Sequence, residues 1–347
     1  MSIAQAVMDE AIASDAQEAT DSQKAQLKAD NLLKLYAAGE RFFADAELSG
    51  IDLSGQDLTG AIFKGSNLNG ANFSNAILLD ETTFSFASLH GAKFTNAKLI
   101  GGRFSGAQLY QADLSGADLT GADLAGANLS QACLAKANLD QVNIWGADLN
   151  GADLSEVNLS GINLWGAKLR GTDLSYAHLK GSNLSKADLS EAILSHANLR
   201  GADLSEAKLN QTNLEHANLR GANLNSAEIS DSSFIQAILR VAKFQGAKIS
   251  RSDLSKAELW GADFRDSSLE GVVLGQACLK GANFHAASLS NLNFELVDAT
   301  GAIFSAVKLN NAHFNLCTGL SEETIAYLTE LGAIGAGVAR YIKPLSS

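Results

Sequence analysis

Between Gln111 and Asp140 the chain reads QADLSGADLTGADLAGANLSQACLAKANLD, with Leu at every fifth position: 114, 119, 124, 129, 134 and 139. The same period spans most of the 347 residues. Large apolar centres run in steps of five from Leu48 to Leu78 and, after one step of six, from Phe84 to Phe314. In the second run only Ala299 departs from Leu, Ile and Phe. The residue two places before each centre is small or β-branched almost throughout and never charged, and Gln56 is its one strongly polar occupant.

A period of five excludes both common regular structures. An α-helix turns about 100° per residue, so centres five apart would spiral around its axis. A strand alternates faces at every residue, so successive centres would fall on opposite sides. What remains is a solenoid that turns a corner every five residues, with the centre and the small residue pointing inward. Four such sides close a coil of 20 residues, and coils stack by backbone pairing at about 4.8 Å.

The stretch ADLSGADLTGADLAGANLS resembles the pentapeptide-repeat family, whose motif is Ala, Asp or Asn, Leu and two variable residues; the match covers about residues 46–315. The resemblance implies an all-β solenoid, a right-handed quadrilateral β-helix. The segment from Leu32 to Gly50 also resembles the leader of many cyanobacterial members. The six-residue step at AILLDETTF, between Leu78 and Phe84, reads as a bulge or small loop.

A solenoid with open ends exposes strand edges and needs caps. Leu27, Leu32, Leu35 and Tyr36 have near-helical spacing within Gln23–Phe43 and predict a helix ending near Gly39. Ser2–Ser14 predicts a further short amphipathic helix. Ser321 as N-cap, acids in the first turn and Gly332 as a stop predict a helix at the other end. The expected division is a helical segment and cap over 1–44, the β-helix over 45–316 and a helical cap over 317–347.

Chemistry is sparse. The six His residues form no HExxH pattern, and Cys133, Cys278 and Cys317 form neither a zinc pattern nor a disulfide framework. The expectation is therefore a non-enzymatic chain without cofactor or metal. A formal net charge of −12 argues against nucleic acid and anionic membranes as partners. No apolar run approaches the roughly 20 residues of a spanning helix, and with no signal peptide at the N-terminus the expected location is the cytoplasm. The oligomeric state stays open between a monomer and an end-to-end dimer.

Function then has to lie on the outer walls, where residues 20 apart form columns. Charge along the chain is uneven: residues 51–160 carry 5 basic and 11 acidic side chains, residues 161–280 carry 14 and 13. Lys180, Arg200, Arg220, Arg240 and Lys280 each follow a centre and share one column, with Trp260 between the last two. The adjoining corner carries Tyr176, His196 and His216, with His178 on the same side. Like charges one coil apart repel unless solvated, splayed or paired. One reading is a solvated face relieved by Glu191, Glu206 and Glu215; the other is a docking strip for an acidic protein segment, with Arg suited to bidentate carboxylate recognition. Trp145 and Trp165 also follow centres and should point outward as an apolar patch. The leading expectation is a protein–protein interaction scaffold that uses flat walls. The family supplies an alternative, a DNA mimic acting on a type II topoisomerase, which would use the acidic column of Asp113, Asp153 and Asp173 with Asp118 and Asp123 nearby.

Overall fold

The computed structural model describes residues 20–336, so the expected helix at Ser2–Ser14 lies outside the described residues. The chain forms two compact units, residues 20–158 with 167–173 and residues 159–166 with 174–336. Both are stacks of the same coil. In the first, Asp113 bridges Cys133, Cys133 bridges Asp153 and Asp153 bridges Asp173, all in parallel and all 20 residues apart. Four such columns pass through each coil, for example at Arg103, Gln108, Asp113 and Asp118, which gives the coil four sides. In the second unit one column lengthens into three-residue strands: β1 (Glu228–Ser230), β2 (Lys248–Ser250), β3 (Ser268–Glu270), β4 (Ser288–Ser290) and β5 (Lys308–Asn310). They form a parallel sheet in the order β1-β2-β3-β4-β5, each strand paired with the next at a 20-residue offset.

The motif explains the corners. At Leu119–Ala122 the Ala122 N–H donates to the Leu119 carbonyl at 2.9 Å, closing a four-residue turn whose third residue, Gly121, has φ 66°. A left-handed third residue is the demand of a type II turn. Where Asp or Asn precedes a centre, it stabilises the same turn. Its side-chain oxygen accepts the backbone N–H two residues on, as Asp118 does from Thr120 (3.1 Å) and Asn128 from Ser130 (3.1 Å). Where the next coil carries Asn, its amide donates back along the column: Asn138 to Asp118 at 3.1 Å, Asn143 to Asp123 at 2.8 Å.

The centres fill the interior. Phe63, Phe84 and Phe104 stack face to face at 5.2 and 4.9 Å in the first unit; Phe244, Phe264, Phe284 and Phe304 do so at 4.7, 4.8 and 5.2 Å in the second. Their stacking distance is the coil spacing itself. Hydroxyls that replace Ala in the inner corner are buried but bonded, as in Thr172 to the Leu149 carbonyl (3.0 Å) and Thr212 to that of Leu189 (2.9 Å). Gln56 breaks the inward pattern: its residue is exposed rather than tucked into the corner, which keeps its amide solvated.

The six-residue step is a bulge. Asp80 and Glu81 both take left-handed φ, 50° and 64°, and the bridge offset across them is 21 (Ile62 to Thr83) before returning to 20 at Thr83 to Arg103. Glu81 then pairs with Arg103 at 2.7 Å.

Among the described residues each unit carries one helix. Helix α1 (Asp21–Ala37) begins two residues earlier than the apolar spacing predicts, because Thr20 and Gln23 form a reciprocal capping box. It buries Ala29 and Leu32 and is tied to the first coils by Lys28 to the Glu47 carbonyl (2.9 Å) and Tyr36 Oη to that of Thr59 (2.9 Å). Helix α2 (Glu322–Glu330) has Ser321 as N-cap, accepting from the Thr324 N–H, and buries Ile325 and Leu328. After it the chain turns at Gly332, φ 88°, and Ile334 pairs with His313, adding a last rung to the ladder.

Candidate interaction surface

One side of the second unit carries most of the residues singled out by sequence. It runs between two corners. Tyr176, His196 and His216 occupy one corner, at φ 59°, 62° and 59°. Lys180, Arg200, Arg220, Arg240, Trp260 and Lys280 occupy the other. Between them lies the bridged column His178, Asn198, Asn218, Ile238, Glu258, Cys278 and Asp298. Both corners are held by the coil backbone. The N–H groups of His196 and His216 donate to the carbonyls of Glu215 and Ile235; those of Gly181 and Gly201 donate to the carbonyls of Arg200 and Arg220.

The aromatic corner is a single stack. Tyr176 and His196 have ring centroids 4.8 Å apart and planes within 5°; His196 and His216 are 4.8 Å apart and within 1°. Inner ring faces are occupied by each other, so edges, not faces, are offered to a partner.

The basic corner divides into two parts that the sequence columns alone did not separate. Arg240 Nε bonds Glu258 at 2.7 Å, and Lys280 Nζ lies 3.2 Å from Asp298. The hydrogen bond that Lys280 donates to Asp298 raises its ammonium above the ordinary lysine value. Asp298 is pushed upward by partial burial, but hydrogen bonds from Thr300 and Lys280 outweigh this and hold it below the carboxylate range. Lys180, Arg200 and Arg220 have no ion-pair partner among the described residues. All three are exposed. Of the acids expected to relieve them, Glu206 pairs with Lys186 at 3.6 Å and Glu215 accepts from the Ser233 hydroxyl at 2.9 Å. The cause is local. A side chain following a centre meets the one 18 residues on, which precedes the next centre in the column. For Arg240 and Lys280 that residue is Glu258 or Asp298; for Lys180, Arg200 and Arg220 it is Asn198, Asn218 or Ile238. Within this column the identity of residue i+18 was the sequence signal that separates compensated from uncompensated cations.

Trp260 stands 57% exposed between the two compensated cations, over a surface cavity lined by Arg240, Glu258, Trp260, Cys278 and Lys280. Trp145 lies in the first unit and Trp165 in the second, 68% and 53% exposed; the Lys186 ammonium sits 5.9 Å from the centre of the Trp165 ring.

The acidic residues of the first unit, in the Asp113 column and on the neighbouring sides, are hydrogen-bonded by the coil. Asp113 accepts from Ser115 and Thr95, Asp123 from Ser105 and Asn143, and Asp118 from Thr120 and Asn138. Cys133 interrupts the row, its thiol pushed up by burial and by the carboxylates of Asp153 and Asp113. Among the described residues no group of three or more His, Cys, Asp or Glu side chains could hold a metal ion, and no helix is long and apolar enough to cross a membrane.

Comparison with known proteins places this architecture. The sequence model described as Pentapeptide repeats matches in eight copies, the first over residues 43–75 and the last over 277–315. HetL, a pentapeptide repeat protein involved in heterocyst differentiation regulation from the cyanobacterium Nostoc sp. strain PCC 7120, is 35% identical, with 73% of this chain and 95% of HetL covered and a TM-score of 0.23. QnrB1, a plasmid-mediated fluoroquinolone resistance protein, is 18% identical over 77% of this chain and 96% of its own, with a TM-score of 0.23. A pentapeptide repeat protein of the Arabidopsis thaliana thylakoid lumen is 31% identical over 40% of this chain and 68% of its own, with a TM-score of 0.13. No curated protein matches the chain significantly.

Proposed function

Because the chain belongs to the pentapeptide-repeat family, we propose that it works as a non-enzymatic interaction scaffold, and that the wall between Tyr176 and Lys280 docks an acidic segment of another protein. The observation that carries this reading is the row of three uncompensated cations, Lys180, Arg200 and Arg220, on consecutive coils of a chain with net charge −12. Three like charges at one-coil spacing are mutually unfavourable, and the remedy used at Arg240 and Lys280 is withheld from them. An incoming carboxylate row would supply it, and Arg offers the paired geometry that carboxylates accept.

The test is anisotropy of a labelled, unstructured Asp/Glu-rich peptide against the full chain and against a Lys180→Ser, Arg200→Ser, Arg220→Ser variant. Serine already occupies such positions elsewhere, as at Ser130 and Ser230. Binding to the native chain should be at least about tenfold tighter at 50 mM than at 300 mM salt, and the variant should lose it while keeping its circular dichroism. Equal binding by both proteins would remove the strip from the proposal.

A further inference from the structure

The spacing of the strip says more about its occupant than its charge does. Consecutive rows of this wall are one coil apart, 4.8 Å by the ring centroids of Tyr176, His196 and His216. Lys180, Arg200 and Arg220 therefore stand at about 0, 4.8 and 9.6 Å along the column. A binding segment laid along this column must present carboxylates at a similar repeat.

Three extended or helical geometries can be compared. In a β-strand, side chains on one face recur every second residue, about 6.7 Å apart, so three of them reach about 13.4 Å and overshoot the third cation by nearly 4 Å. A polyproline II segment repeats a face every three residues, about 9.3 Å, and meets only the first and third cations. An α-helix rises about 1.5 Å per residue, so positions i, i+4 and i+7 on one stripe lie at about 0, 6.0 and 10.5 Å. The residual misfit is near 1 Å, within the reach of flexible Arg, Lys and Glu side chains.

The ground beside the cations suits a rod. Asn198 and Asn218 are short, half-buried and committed to the corner turns, accepting the backbone N–H of Arg200 and Arg220 at 3.3 and 3.1 Å. They leave the wall low between the two corners. The row then passes Arg240, which is neutralised by Glu258, and reaches Trp260 at about 19 Å from Lys180. On the same helical stripe the nearest position is i+14, at about 21 Å. Stacking of nucleobases, by contrast, is not invited: the rings of the opposite corner are closed against each other.

We infer that the occupant of this wall is an amphipathic α-helix of a partner protein. Counted from the Lys180 end, it carries Glu or Asp at i, i+4 and i+7 and a large apolar residue at i+14. This rests on the docking reading above and adds the conformation and register of the ligand.

The experiment uses the full chain and three labelled peptides of equal length and net charge. The first is a stapled helix with Glu at i, i+4 and i+7 and Leu at i+14. The second is the same stapled helix with the three Glu moved to i, i+2 and i+5, off one stripe. The third is an extended peptide, kept from helix formation by proline, with Glu at alternate positions. The inference expects the first to bind about tenfold more tightly than either control. It also expects loss of that preference in the Lys180→Ser, Arg200→Ser, Arg220→Ser variant and a fewfold loss in Trp260→Ala. If the extended peptide binds as well or better, and the triple variant still abolishes binding, the helix is overturned and the acidic docking strip stands. If no peptide binds, or the triple variant binds all three unchanged, both readings fall. A single-stranded oligonucleotide that displaces the first peptide at equal concentration, or a dimer in sedimentation that the triple variant dissolves, assigns the strip to another occupant and overturns the inference as well.

Discussion

The Arg240 guanidinium bonds the Glu258 carboxylate at 2.7 Å across 18 residues of sequence. The same relation joins Lys280 to Asp298. It arises because a residue leaving one centre lies beside the residue approaching the next coil's centre, so each cation of this column has a designated neighbour 18 residues on; elsewhere Arg265 pairs within its own turn, with Asp263 at 2.6 Å. Arg200 and Lys180 differ from Arg240 only in what occupies that place.

This relation gives a surgical test. Asn198→Asp and Asn218→Asp should pair with Lys180 and Arg200 as Asp298 pairs with Lys280. Asp keeps the turn, since Asp298 still accepts the Thr300 N–H at 3.1 Å. Acidic-peptide affinity should fall about tenfold, while thermal stability changes by no more than about 1 kcal/mol, as for exposed pairs. Titration calorimetry and thermal unfolding read the two quantities; unchanged affinity would show that free charge on these rows is not what binds.

Phe264 lies fully buried between Phe244 and Phe284, with ring centroids at 4.7 and 4.8 Å. Phe264→Ala should destabilise by about 3–5 kcal/mol, because a rigid backbone ladder on every side cannot collapse into the cavity. Denaturant unfolding measures it, and a loss under about 1 kcal/mol would mean that the coils relax more freely than their pairing implies.

Two glycines separate backbone strain from steric contact. Gly121 has φ 66° and open space where a Cβ would sit, so Gly121→Ala should cost about 1–2 kcal/mol, the left-handed penalty alone. At Gly319, φ 79°, the added Cβ would lie 2.6 Å from the Thr300 backbone. Gly319→Ala should cost clearly more and loosen the Asp298–Thr318 rung that precedes α2. Equal melting shifts for the two variants would contradict this.

Acid should weaken the coils. Partial burial pushes Asp113 upward, but hydrogen bonds from Ser115 and Thr95 outweigh it, leaving the group below its ordinary value; at Asp52 the bonds from Ser54 dominate outright. A depressed carboxylate contributes stability that is complete above its unfolded value, about 3.9, and is lost as pH falls through the folded value. Each group is largely solvated and contributes well under about 1 kcal/mol after screening. Melting temperature should be flat from pH 7 to 5 and decline below about 4, with a shallower decline in Asp113→Asn. A rise on acidification would refute the sign.

Cys317 is buried, and burial pushes its thiol to about 12. It should resist alkylation at pH 8 in the native chain and react once the chain unfolds, so mass spectrometry of labelled Cys317 reports opening of the last coil. Native-state labelling at the rate of a free thiol would disprove its burial.

Much of this was legible in the sequence because the period leaves little freedom. Leu124 and Phe84 point inward since no other geometry repeats every five residues, and Tyr176, His196 and His216 could be stacked by counting to 20. Ser321 announced its helix. Other features required coordinates. Thr20 extends α1 through a capping box that apolar spacing does not register. Gln56 sits at an inward position yet is exposed. The difference between Arg220 and Arg240 depends on a neighbour in the next coil, which a column-by-column reading passes over because it compares residues 20 apart, not 18.

The 20-residue offset has a consequence for how such a surface can change. Each outward position has a fixed address, and its neighbours above and below are known from arithmetic alone. Substituting one address leaves the core untouched, so recognition can be rewritten letter by letter without refolding. Asp80 and Glu81 mark the exception, a place where the count was altered by one and the backbone absorbed it within a single corner.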